Sequence, residues 1–224
     1  MSNRTTSFLT KRTVWRLALC LAVSTPFAAQ AQMDPNCGSL SNAYGPFDYS
    51  NPVDFRTKLK VVEDHHFDAG VESLRGHARK PDQLGGDLDY TLRAFPNHHR
   101  ALYAVVKYAS SKNPKHRRPL PKTPECYFQR AITFQPRDGK VRLLYGLFKS
   151  RQKQYSEAKM QFAEAERLMP ESAEVQYNIG LVLAKNKEYD DAYQYAVRAY
   201  DMGYPLPGLR NILRRAGKWP SSSE

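Results

Sequence analysis

The sequence is poor in cysteine, with three in 224 residues. None of them stands in a Cys-x-x-Cys or Cys-x-x-Cys-His spacing, so dithiol exchange and covalent haem attachment have no motif. Also absent are a Gly-x-Ser-x-Gly elbow, a Gly-rich phosphate loop and the His-x-x-x-His or His-Glu-x-x-His spacings of metal-dependent hydrolases. The apolar run Leu17–Val23 stops at Ser24-Thr25-Pro26, well short of the roughly 20 apolar residues a membrane-spanning helix needs. Disorder is excluded from the other side: 41% hydrophobic residues, 14 Tyr and 10 Phe supply enough apolar surface for a packed core.

Acid is missing from residues 1–31, where Arg4, Lys11, Arg12 and Arg16 precede the short apolar run and Ala29-Gln30-Ala31 offers a small-x-small site. This order is that of a secretory signal peptide cleaved after Ala31, and its short basic start points to the bacterial periplasm. Four of the 34 basic residues and none of the 22 acidic ones lie in this stretch, so the remaining chain carries +8 rather than +12. That charge favours acidic partners; nucleic acid suits the charge but not the compartment. Cys37 and Cys126 remain after cleavage, and an even count in an oxidising space makes a disulfide between them one expectation, two unpaired thiols the other.

Shifting the chain by 34 residues lays 139–172 on 173–206, with identities at Val141/Val175, Gly146/Gly180, Leu147/Leu181, Lys153/Lys187, Tyr155/Tyr189, Ala158/Ala192 and Ala165/Ala199. The pattern predicts helical hairpins: glycine mid-helix where two helices approach, alanines on the facing helix, and Pro170 and Pro205 ending each second helix. On these residues the sequence resembles the tetratricopeptide repeat family, most closely at Tyr145-Gly146, Ala158, Phe162, Ala165 and Pro170. It departs from that pattern at Ala196, where the family has an aromatic, and at Lys149, where it prefers tyrosine.

Upstream the pattern thins. Phe128–Pro136 reads as the end of a third unit whose first helix is His99–Ser110, and Leu88–Pro96 as the end of a fourth whose first helix is roughly Val61–Arg75. The resulting division is a signal peptide at 1–31, an extended arm at 32–57, a degenerate hairpin at 58–98 and a repeat with a basic, proline-rich insertion at 99–138. Full repeats follow at 139–172 and 173–205, then a capping helix at 206–219 and a polar tail at 220–224. Gly85-Gly86 reads as a turn before a helix that starts near Asp87. The expected fold is all-α, a right-handed repeat solenoid with an irregular N-terminal arm and a C-terminal capping helix.

In the family the first helices line a concave groove. Carried over, the resemblance puts Lys140, Leu143, Leu147 and Arg151 there from one repeat, Tyr177, Asn178, Leu181 and Lys185 from the next, and Arg100, Tyr103 and Lys107 from the unit before. Such a surface suits an extended peptide, acidic or carboxy-terminated. The insertion carries Lys112, Lys115, Arg117, Arg118 and Lys122 between prolines that exclude an α-helix, and is a candidate for contacting anions. The pairs His65-His66 and His98-His99 raise a metal site built from one histidine of each pair. Nothing supplies a nucleophile, base and orienter, and no cofactor is expected. The expected function is that of a noncatalytic periplasmic scaffold binding an envelope protein. The alternatives are an accessory envelope protein that contacts anionic glycan or lipid through the basic loop, and a metal-binding protein.

Overall fold

The computed structural model describes residues 33–79 and 81–220; the expected signal peptide and the end of the polar tail lie outside the described residues. Among the described residues the regular elements are all helical. Helices α1 (Pro52–Asp54) and α2 (Lys60–His66) are joined by a π-helical stretch, Phe55–Leu59, and are followed by α3 (Ala69–Glu72), α4 (Leu84–Ala94), α5 (His99–Ala109) and α6 (Pro124–Phe134). Then come α7 (Gly139–Arg151), α8 (Tyr155–Leu168), α9 (Ala173–Lys185), α10 (Tyr189–Asp201) and α11 (Gly208–Arg215).

Local chemistry sets these boundaries. Side chains of His98, Asp138 and Ser172 accept the orphan amides at the starts of α5, α7 and α9. Each of α4, α6 and α8 ends two residues before a proline, at Pro96, Pro136 and Pro170. The hairpin turns after α7 and α9 put Lys153 and Lys187 in the left-handed region, φ 62° and 67°. There Gln154 and Glu188 donate back to the carbonyls of Lys149 and Leu183, a closing motif more often built on glycine.

α7 packs along α8, and α9 along α10. Gly146 makes the first pairing possible: a Cβ there would lie 2.4 Å from the Phe162 ring. At the equivalent Gly180 the ring is missing, because Ala196 stands where an aromatic would be, and Leu209 of α11 fills the space, 2.7 Å from where a Cβ would go. One apolar cluster spans Phe67 to Phe148, another Leu143 to Leu213, and Leu147 packs against both.

Several boundaries differ from expectation. The arm ends at Asn51 rather than at 57, because Asn51 caps Val53 and Asp54 and Pro52 occupies the first helical position. The first helix of the fourth unit is broken after His66, since Asp68 accepts the Val71 amide and starts a new helix. Gly85 and Gly86 lie inside α4 instead of in a turn, and the capping helix is confined to Gly208–Arg215. The insertion contains a short 3-10 turn, Pro114–Arg117, capped by Asn113.

The arm is clasped rather than loose. Cys37 is bonded to Cys126 in α6, with the Cα atoms 5.0 Å apart. Arg130, 1% exposed, donates from Nη1 to the carbonyls of Gly38 at 3.2 Å and Ser39 at 2.5 Å. The Phe47 amide donates to the Ala94 carbonyl at 2.8 Å, and its ring packs on Tyr44 and Phe95.

Two alanine substitutions separate these effects. Gly146→Ala should destabilise the protein by about 1–3 kcal/mol through overpacking against Phe162. Gly86→Ala, in a helix with open space around it, should stabilise by about 0.5–1 kcal/mol. Thermal melts of the two variants check the opposite signs.

Candidate functional site

Helices α7 and α9 start and end 34 residues apart, so each position on one has an equivalent on the other. Lys140, Leu144, Leu147 and Arg151 recur at the one-face spacing of a helix, and their equivalents are Glu174, Asn178, Leu181 and Lys185. All eight line one open cavity of about 470 Å³, which Glu72, His99, Arg100, Tyr103 and Tyr204 also line.

The floor is apolar, made by Leu143, Leu144, Leu147, Leu181 and Val182. Charge divides along its length. At the ends where α7 and α9 begin, Lys140 is paired with Glu174. Arg100 holds Glu72 through Nε at 2.9 Å and Nη2 at 2.5 Å, and Glu63 through Nη1 at 3.0 Å. The Arg100 hydrogen bond to Glu72 lowers that carboxyl and raises the guanidinium. Arg151 and Lys185, the last residues of α7 and α9, have no carboxylate partner among the described residues; Arg151 lies 6.0 Å from the Tyr103 ring centre.

Beneath the site a polar network ties three segments together. His99 Nε2 meets Asp138 Oδ2 at 2.8 Å, and Asn97 donates to both Asp138 and Asp48 at 3.0 and 2.8 Å. Burial alone would raise the Asp138 carboxyl, but the hydrogen bonds from His99 and Asn97 outweigh it and hold the group below the usual carboxylate range. His98 is fully buried, and burial lowers its imidazole. Its Nδ1 accepts the Ala101 amide, which puts the proton on Nε2, donated to Glu63 at 3.0 Å.

Nine of the eleven expected groove residues line this cavity: Lys140, Leu143, Leu147, Arg151, Asn178, Leu181, Lys185, Arg100 and Tyr103. Tyr177 does not. It is 6% exposed and stacks on Tyr204 with the ring centres 4.2 Å apart, because α11 folds over that face of α9 and brings Gly208 against its hydroxyl. Lys107 points away to the Glu72 carbonyl, 2.6 Å, and flanks Tyr103. Leu143 is 1% exposed and belongs to the floor. Leu144 and Glu174 were legible all along, since the 34-residue shift carries Asn178 back to the one and Lys140 forward to the other. Tyr204, which reaches the cavity from beyond α10, has no such signal.

In the insertion Lys112, Lys115 and Arg118 are exposed and Lys122 is half-buried, while the Arg117 side chain lies outside the described residues. His66, His98 and His99 are each engaged by a separate carboxylate, Asp87, Glu63 and Asp138. Among the described residues no three histidine, cysteine or acidic side chains gather as a metal site would require. The chain matches no family model, no curated protein and no solved structure.

Two outcomes follow from this geometry. Tyr177→Ala should cost about 3–5 kcal/mol as a core truncation, whereas Arg151→Ala should stay within about 0.5 kcal/mol, as denaturant melts would show. Asp138, Asp48 and Glu72 all have lowered values, so the unfolded state binds more protons on acidification. Their contribution is complete at neutral pH and is lost as pH falls below about 4 through the lowered values. Melting temperature followed from pH 7 into this range should drop, and Asp138→Asn should make the decline shallower.

Proposed function

We propose that this protein is a noncatalytic periplasmic adaptor whose helix pairs form a right-handed, tetratricopeptide-like stack, and whose groove holds an extended segment of a partner protein. The observation that carries the reading is the stripe of four 34-spaced position pairs on α7 and α9 that line one cavity. An apolar floor anchors side chains. Arg151 and Lys185, without a carboxylate partner among the described residues, supply charge-assisted donors for an acidic side chain or a terminal carboxylate. Arg100 and Lys140 already hold Glu72 and Glu174 and so add shape more than free charge.

Export is supported from two directions. The acid-free stretch at 1–31 has the order of a signal peptide, and the Cys37–Cys126 bond suits an oxidising compartment. Among the described residues no helix is long and apolar enough to cross a membrane. The adaptor role needs no cofactor and no catalysis.

Fluorescence anisotropy with short peptides tests the reading, each combining leucine anchors with acidic residues and made both as the free acid and as the amide. The double variant Arg151→Glu/Lys185→Glu should weaken binding at least about tenfold while leaving the melting temperature within a few degrees. Peptide affinity unmoved by this reversal, or cleavage of the peptides, would overturn the reading.

A further inference from the structure

A second cavity, of about 700 Å³, lies away from the groove between the basic insertion and the segment that joins α3 to α4. Three cations line it, Arg75 from that segment and Lys115 and Arg118 from the insertion, against one carboxylate among the described lining residues, Asp82. None of the three is in an ion pair among the described residues. Among the described residues the Arg75 side chain donates to the Ser73 hydroxyl alone, from Nε, at 2.9 Å.

The insertion is a built wall of this cavity and not a solvated linker. His116 Nε2 donates to the Leu74 carbonyl at 3.0 Å while Nδ1 meets the Ser111 hydroxyl at 2.7 Å. Its ring packs on Tyr108, centres 5.1 Å apart, and the Tyr108 hydroxyl donates to the Arg118 carbonyl at 2.7 Å. These contacts hold the backbone of the insertion beside Leu74, so that Lys115 and Arg118 line the same cavity as Arg75 although the two segments are about 40 residues apart in sequence. All three side chains are exposed, so solvent screens their mutual repulsion, and an anion entering the cavity meets three cations that hold no carboxylate among the described residues.

We propose that this cavity binds an organic phosphate, a phosphomonoester carried on a small body. A phosphomonoester concentrates up to two negative charges and three acceptor oxygens on one group, which matches two guanidinium forks and an ammonium better than a single carboxylate does. The space is far larger than a bare phosphate and falls in the range of pockets for small molecules. Leu74, Leu84 and Pro119 give the rest of the ligand an apolar lining.

Titration calorimetry of the full chain with inorganic phosphate and with glucose 6-phosphate, alongside cosedimentation with phosphatidylcholine vesicles with and without phosphatidic acid, tests this. Glucose 6-phosphate, or the phosphatidic acid vesicles, should bind at least about tenfold more tightly than inorganic phosphate, and added salt should weaken the binding. Arg75→Gln/Arg118→Gln should weaken it at least about tenfold, whereas Arg214→Gln/Arg215→Gln, which removes the same charge from α11, should not. Circular dichroism melts confirm folding, and Lys115→Gln serves as a milder variant. Binding of the sugar phosphate would make the source a free ester; binding of the vesicles alone would make it a lipid. Equal loss in both double variants, equal affinity for inorganic phosphate, or no binding by any probe would overturn the proposal.

Discussion

The ring of Phe162 lies where a side chain on residue 146 would have to go, and much of the C-terminal half depends on that close approach. It brings α7 onto α8 and leaves the Leu144, Leu147 and Arg151 face of α7 turned to the cavity. The next pair has the same glycine at 180 but only alanine at 196, so α10 meets that glycine through the Tyr195 Cβ and the Ala192 carbonyl and not through a ring. Leu209 of α11 makes the nearest approach. A helix that reads as a simple cap is therefore part of the interior, with Leu209 and Leu213 fully buried. In reaching this place α11 and Tyr204 cover Tyr177, which decides which residues of α9 remain available to a ligand. The substitution of a small residue at 196 thus propagates through packing to the composition of the groove.

How much of this could be read from the chain follows from the range of each interaction. The two 34-residue units were legible because their signals are local and repeated: glycine against the facing helix and alanines opposite. The proline signal holds only for the first, two residues past α8; α10 ends at Asp201 and is closed by Gly203 at φ 81°, not by Pro205. The groove stripe was legible to within one helical position for the same reason. Upstream the governing contacts are specific side chain to backbone bonds that no periodicity announces. Asp68 breaks the expected helix by taking the Val71 amide and, through its other oxygen, the Ala78 amide at 2.9 Å. Likewise Gly85-Gly86 reads as a turn by residue type, yet it is carried inside α4, whose later turns are buried against the core at Leu88 and Leu92.

The arm shows the same limit more sharply. Its residues have no helical period, and its place is set by a guanidinium that is buried without a carboxylate partner among the described residues. Burial disfavours the charged form of Arg130 and lowers its value, against the charge of nearby Asp89, and the carbonyls of Cys37, Gly38 and Ser39 add compensating dipoles. The arm supplies acceptors to Arg130 Nη1, though its Nε stays buried without a partner among the described residues, and Arg130 in turn orders the arm. The disulfide adds to this by closing a separation of 89 residues, which removes conformations chiefly from the unfolded chain. A sequence can show two cysteines and an arginine, but not that they meet.

Charge offers a last distinction that composition conceals. A formal excess of basic residues suggests a diffuse attraction for anions, yet the structure divides the cations into two kinds. Arg100, Lys140, Lys159 and Lys218 already join carboxylates on other elements, and their field is partly cancelled at short range. Arg151 and Lys185 at the groove end, and Arg75, Lys115 and Arg118 around the second cavity, keep theirs. Because exposed charges are screened within roughly 10 Å at moderate salt, a ligand responds to these local groups and not to the net figure. The two cavities draw on different residues and different helices, so a charge removed at one leaves the other largely unaltered.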